Sequence, residues 1–258
     1  MSRTTGNKDF WLAALRAEGS AFRAAVEQPD AQSRPVPSCP EWTVGDLTRH
    51  LGSVYQRVRS NAGSGDANQP WPKLGIAADA PAVDDPALIG WFRNELSQII
   101  AFLDQLDPDL PAWNFAPQAR TAGFYHRRMA HETAMHRWDA QLATGGLAEP
   151  LESKLAGDTV AEVLDTMLPA GRRRVSADAT GVVHLVATDL GHEWTARLRG
   201  QGIALLDTDT LLDDDAHPAR AAASGTASDL ALAMWGRVTF DVVETRGDLS
   251  LLEALRIS

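Results

Sequence analysis

The chain has 258 residues, 44% hydrophobic and 22% charged, enough for one large domain or two ordinary ones, with the composition of a soluble globular protein. Its 24 basic and 34 acidic residues leave a net charge of −10, which argues against nucleic-acid or anionic-membrane partners, since both need clustered Lys and Arg. Cys39 is the one cysteine, so no intramolecular disulfide forms; no apolar run approaches the ~18 residues of a membrane span and Met1–Phe10 lacks a signal-peptide core, so the expectation is a cytoplasmic protein.

Asp9 to Glu27 reads as a first helix, with Trp11, Leu15, Phe22 and Val26 on one stripe. Pro29, Pro35 and Pro37 break the chain before Pro40-Glu41-Trp42-Thr43 leads into a second helix. Thr43 is a good N-cap, with Asp46 in the first turn. Val44, Leu47, Leu51, Val54 and Val58 form the inward stripe, and His50 sits about 60° from Leu47 at its edge. A histidine there is a hydrogen-bonded core residue or a ligand. Residues 61–84 have no clear period and form a long connection. A third helix follows from Pro86 to about Leu106, then a loop from Asp107 to Gln118.

The fourth helix is predicted from about Ala119 to Ala143, ended by Gly145-Gly146. Within it, Glu132 and His136 are four apart on one face and Asp139 follows three later. A carboxylate beside an imidazole is half of a metal site, or else a solvated charged face. His131-Glu132-x-x-x-His136 is not the metalloprotease helix motif, whose histidines are four apart. A spacing of five turns His131 about 140° from His136, so the two cannot share an ion and Glu132 reads as a ligand rather than a general base. Four helices with inward stripes predict a bundle, and facing helices in bundles build metal sites. His50, Glu132 and His136 together would supply two nitrogens and an oxygen, a catalytic zinc donor set. Asp139 would orient a histidine, or pair with Arg128 or Arg137.

Past Pro150 the pattern changes. Glu152 to Leu168 reads as a bridging helix, then strand signals appear at 182–187 and 193–198 as a hairpin and at 203–206. Asp213-Asp214-Asp215 reads as an acidic turn, with cation binding as the alternative. Ala221 to Ser224 reads as a strand, Thr226 caps a helix to Trp235, Val238 to Val243 reads as a strand and Gly247-Asp248 starts a last helix. The expected organisation is a two-domain chain: a helical bundle at 1–150, a bridging helix and linker at 151–173, and a small α+β domain at 174–258.

The block from Ser38 to Leu47 with His50, and the block from Arg127 to Asp139, resemble the mycothiol-dependent maleylpyruvate isomerase family, whose first domain is a DinB-like metal-binding four-helix bundle. Ser224 to Leu230, Met234-Trp235-Gly236-Arg237 and Gly247-Asp248 resemble that family's C-terminal domain, related to sterol-carrier folds. The resemblance implies a divalent ion, usually Zn2+, on His50, Glu132 and His136, and mycothiol as cofactor or co-substrate. It also implies that Arg237 faces the active site and holds a substrate carboxylate; an interdomain salt bridge is the alternative.

The expected activity is that of a metal- and mycothiol-dependent isomerase or S-transferase. A metal-activated thiolate would add to a small electrophile, so the protein needs no nucleophile of its own and Cys39 reads as structural. Two alternatives stay open: a non-enzymatic metal-bearing protein whose C-terminal domain binds an apolar ligand, and a thiol-independent zinc hydrolase. A monomer or weak homodimer is expected.

Overall fold

The computed structural model describes residues 6–73, 75–118, 120–172, 179–200, 202–206 and 220–257, which fall into two compact units. The acidic run at 213–215 lies outside the described residues. Among the described residues no helix is long and apolar enough to cross a membrane.

The first unit, residues 6–114 and 120–149, holds four long helices: α1 (Lys8–Val26), α2 (Val44–Asn61), α3 (Leu88–Gln105) and α4 (Gly123–Gly145). They pack as a ring in the order α1, α4, α2, α3, so each helix touches two neighbours closely. Leu15, Phe22, Leu47, Leu51, Phe92, Ile99 and Leu103 are fully buried at its centre, where the Phe22 and Phe92 rings lie 4.9 Å apart. Helix α2 starts where expected. Thr43 Oγ1 accepts from the Asp46 amide at 3.2 Å and Asp46 Oδ2 accepts from the Thr43 amide at 3.0 Å, a reciprocal cap that satisfies two otherwise orphaned donors. Ahead of it, the proline-rich stretch read as a loop contains a small antiparallel ribbon, β1 (Pro35–Val36) with β2 (Cys39–Thr43). The long connection after α2 is held down by aromatic rings. Trp71 stacks on Tyr125 at 4.5 Å, and the Arg57 guanidinium lies 5.7 Å from the Trp71 centroid.

Helix α4 begins four residues later than its sequence suggests and ends at Gly146, whose φ of 72° is the left-handed cap conformation. It has almost no amphipathic asymmetry, because its neighbours enclose it. Met129, Ala130, Ala134, Met135 and Ala140 are buried, and so are Arg127, Arg128, Arg137 and Asp139.

The second unit, residues 115–118 and 150–257, contains a five-stranded sheet in the order β5-β4-β3-β6-β7. Its strands are β3 (Thr180–Ala187), β4 (His192–Arg199), β5 (Gly202–Leu206), β6 (Arg220–Gly225) and β7 (Glu244–Gly247). β3 and β6 run parallel and the other pairs antiparallel. Val183, Leu185, Ala187, Ala196, Leu198, Ala221 and Ala223 alternate onto one buried face. The helices α5 (Ser153–Glu162), α6 (Ala227–Met234) and α7 (Leu249–Glu253) complete the unit, α6 and α7 packing on β3 and β6 and α5 on α6. α5 continues as a π-helical turn over Val163–Met167. The strand expected at Val238–Val243 is instead a 3-10 turn at Phe240–Val242, and the strand itself is the polar Glu244–Gly247 that follows. Gly247 has φ of 80°, and a Cβ there would lie 2.1 Å from the Arg220 carbonyl oxygen, so β7 can close onto β6 only with glycine at its end.

Asp189, in the β3–β4 turn, ties two helix starts together. Its carboxylate accepts from the Ala227 amide at 2.9 Å and from the Ser153 hydroxyl at 2.8 Å. Its slight burial works to raise the carboxyl pKa, but these hydrogen bonds outweigh it and hold the pKa below the ordinary aspartate range. A depressed folded-state pKa gives stability that is present above the unfolded value and lost as pH falls through the folded one. Asp189→Ala should therefore cost about 1 kcal/mol near neutral pH, and the gap between wild type and variant should close on acidification below about pH 4. Denaturant unfolding at several pH values reads this; a gap that persists in acid would reject it.

Candidate metal centre

Helix α4 offers Glu132 and His136 on one face, and α2 crosses that face with His50. His50 Nε2 lies 3.3 Å from Glu132 Oε1, and His136 Nε2 lies 3.4 Å from the same oxygen. The three donor atoms all sit within 4.8 Å of one another, and these residues form the one such group of three or more among the described residues. Residues 82 apart in sequence thus meet. The cluster is shielded but reachable, with 20% of the His50 side chain, 17% of Glu132 and 10% of His136 exposed.

The surroundings hold each donor in place. Arg128, one turn before Glu132, donates to Glu132 Oε2 and leaves Oε1 toward the two imidazoles. His136 Nδ1 donates to Asp139 Oδ2 at 3.0 Å, so Nε2 is the nitrogen left to face Glu132. Asp139 is fully buried, and its other oxygen accepts from the Ser38 hydroxyl at 2.5 Å. The His50 ring lies 4.8 Å from Trp42 and 5.2 Å from the His136 ring. Beneath, the buried Tyr55 hydroxyl bonds Thr133 Oγ1 at 2.7 Å, which itself donates to the Met129 carbonyl.

The electrostatics favour ionised Glu132. Burial alone would raise its pKa, but the Arg128 charge and the hydrogen bonds from His136 and His50 outweigh burial and hold it well below the usual carboxylate range. Burial would lower the pKa of His136, and the acceptors Asp139 and Glu132 outweigh it in the opposite direction.

Two imidazole nitrogens and one carboxylate oxygen are a donor set for zinc. The two nitrogen-to-oxygen separations of 3.3 and 3.4 Å match the edge of a tetrahedron whose bonds are roughly 2.0–2.1 Å. The donor types and these two edges suit a divalent ion, and the two nitrogens lie within 4.8 Å of each other. His131 is not among them. It is fully buried, with its ring edge-on to Trp11 at 5.4 Å.

Ser38 and Arg128 were not identified from sequence as supports of the site. Arg128 carried a usable signal, since it is four residues before Glu132. Ser38 carried none, being 101 residues from Asp139.

Residues 12–141 match the family model of the mycothiol maleylpyruvate isomerase N-terminal domain. The chain belongs to the mycothiol maleylpyruvate isomerase family. Residues 154–254 match the model of the C-terminal domain of the same enzyme family. No curated protein matches the chain. The crystal structure of the mycothiol-dependent maleylpyruvate isomerase is similar to it, with a TM-score of 0.60, 12% identity and 95% of each chain covered. A crystal structure of a histidine-to-alanine mutant of that enzyme matches with the same values. At that identity the likeness speaks for the fold, and membership in this mycothiol maleylpyruvate isomerase family rests on the family models.

Arg237 belongs to the second unit. Its Nη1 donates to the Trp235 carbonyl at 3.0 Å, and its guanidinium lies 5.9 Å from the Trp235 ring centroid.

Proposed function

We propose that this protein is a metal- and mycothiol-dependent isomerase or S-transferase that adds the small-molecule thiol to a compact electrophile, with maleylpyruvate, named for its relatives, as the first substrate to try. The observation that carries the proposal is the convergence of His50, Glu132 and His136 in a chain of this family. In this reading those three residues hold Zn2+. Bound there, the ion would supply the Lewis acidity that lowers the pKa of a coordinated thiol.

The chain's own residues have separate tasks. Glu132 brings the negative charge that a cationic centre needs, and Arg128 keeps its second oxygen engaged. Asp139 fixes the His136 tautomer through Nδ1. Arg237 takes a substrate carboxylate, because its planar fork matches two carboxylate oxygens. Cys39 has no chemical task, since the reacting sulfur arrives with the small molecule.

Purified protein should turn over maleylpyruvate, or conjugate a model electrophile, only when mycothiol is present, and it should stop on chelation and resume on adding Zn2+. Turnover without thiol would point instead to a zinc hydrolase. Metal binding without any turnover would point to a ligand-binding protein.

A further inference from the structure

We infer that the β1–β2 ribbon is a clamp that positions both histidines of the centre, with Ser38 and Trp42 as its two contact residues. The inference rests on the metal reading above. Besides Glu132, which both imidazoles face, each histidine has a second contact that leads back to the ribbon. His136 is braced through Asp139, three residues on along α4. A carboxylate that accepts one bond to an imidazole can still pivot about its own side-chain bonds. Asp139 is held further by Ser38 Oγ, which donates to its other oxygen at 2.5 Å. Ser38 sits in the turn between β1 and β2, where Val36 pairs with Cys39.

His50 is supported differently. The Trp42 ring on β2 lies with its centroid 4.8 Å from that of His50, tilted at an interplanar angle of 46°. Trp42 immediately precedes Thr43, the cap of the helix that carries His50. One short ribbon therefore reaches His136 by a hydrogen-bonded chain and His50 by ring packing.

The ribbon's base is itself fixed. The Arg34 carbonyl accepts from the Val44 amide at 2.9 Å, at the start of α2. The Arg34 side chain donates to the Thr144 carbonyl, at the end of α4. The clamp is thus attached to both ligand-bearing helices, and its two contact residues lie beyond those attachments.

Such supports typically set metal affinity by 10–100-fold. Ser38→Ala and Trp42→Ala should each weaken Zn2+ binding by roughly tenfold, measured on the full chain by competition with a chromogenic chelator. Ser38→Thr, which keeps the hydroxyl, and Trp42→Phe, which keeps an aromatic face, should bind within about threefold of wild type. The Co2+-substituted Ser38→Ala protein should show an altered visible absorption band, while its metal-free form, less stable than the wild type by the bond lost to a buried carboxylate, still unfolds in one cooperative transition. Should Trp42→Ala fail to fold, the Trp42 arm is read from Trp42→Leu, which keeps bulk without the aromatic face and should show the same loss. Wild-type affinity and Co2+ spectrum in folded Ser38→Ala and Trp42→Ala or Trp42→Leu would overturn the clamp and leave the metal centre standing. No metal binding by the wild type would overturn the reading on which it rests.

Discussion

The His50→Ala protein should be purified with less than about a tenth of the metal per chain that the wild type carries, because the two donors left on α4 hold an ion at least roughly 100-fold more weakly than three. The loss should be selective. His50 lies at the edge of the α2 stripe, and its neighbours Leu47, Leu51 and Val54 keep that stripe packed. The metal-free variant should therefore unfold close to the metal-free wild type, while thiol-dependent turnover falls with metal content and is not restored by excess thiol. Elemental analysis of both proteins against protein concentration settles it; full occupancy in the variant would remove His50 from the ligand set. Glu132→Gln should lose the metal as completely, but with a second effect. It removes the charge that Arg128 pairs with inside the bundle, so that variant should also unfold earlier.

Arg137→Ala should be among the most damaging single changes to the first unit, at about 3–5 kcal/mol. Arg137 Nε donates to Glu18 Oε2 at 2.6 Å with both side chains almost entirely buried, and a second nitrogen reaches Gln141 Oε1 at 2.9 Å. This pair joins α4 to α1. Truncating the arginine leaves a carboxylate buried without its partner, which costs more than the pair itself contributes. Arg137→Lys keeps the charge but loses the planar fork and should fall between. Denaturant midpoints of the three proteins give the order, and an alanine variant within about 1 kcal/mol of wild type would show that water reaches Glu18.

Local signals carried most of the candidate site. Glu132, His136 and Asp139 share a helix face because of their spacing alone, and α4 presents them so. For His50 the local pattern gave only a residue at the edge of a helical core; grouping it with Glu132 and His136 took the expectation of a bundle and the family resemblance, and what brings it to Glu132 is the packing of α2 against α4, a tertiary fact. The Thr43 cap was legible because capping chemistry lies within four residues. Hydrophobic pattern misled at the end of the chain. Val238 to Val243 has the apolar content of a strand, yet the pairing strand is Glu244–Gly247, at the edge of the sheet. Edge strands carry charge, so the pattern that marks a central strand is missing there. The β1–β2 ribbon was hidden for a related reason: it is built around Pro35 and Pro40, residues that read as loop. Arg237 was singled out through the family resemblance alone, since nothing near it in sequence points to a task.

The enclosure of α4 limits how this protein can diversify. Nearly every side of that helix is occupied, by the candidate donors on one and by interior packing on the rest, so an altered residue there disturbs either the candidate site or the folded core. New substrate preferences would have to arise elsewhere. The connections on either side of α3 are the natural place, because anchors such as Trp71 on Tyr125 hold them while exposed residues in them, among them Lys73 and Asp109, can change without disturbing the helix interior.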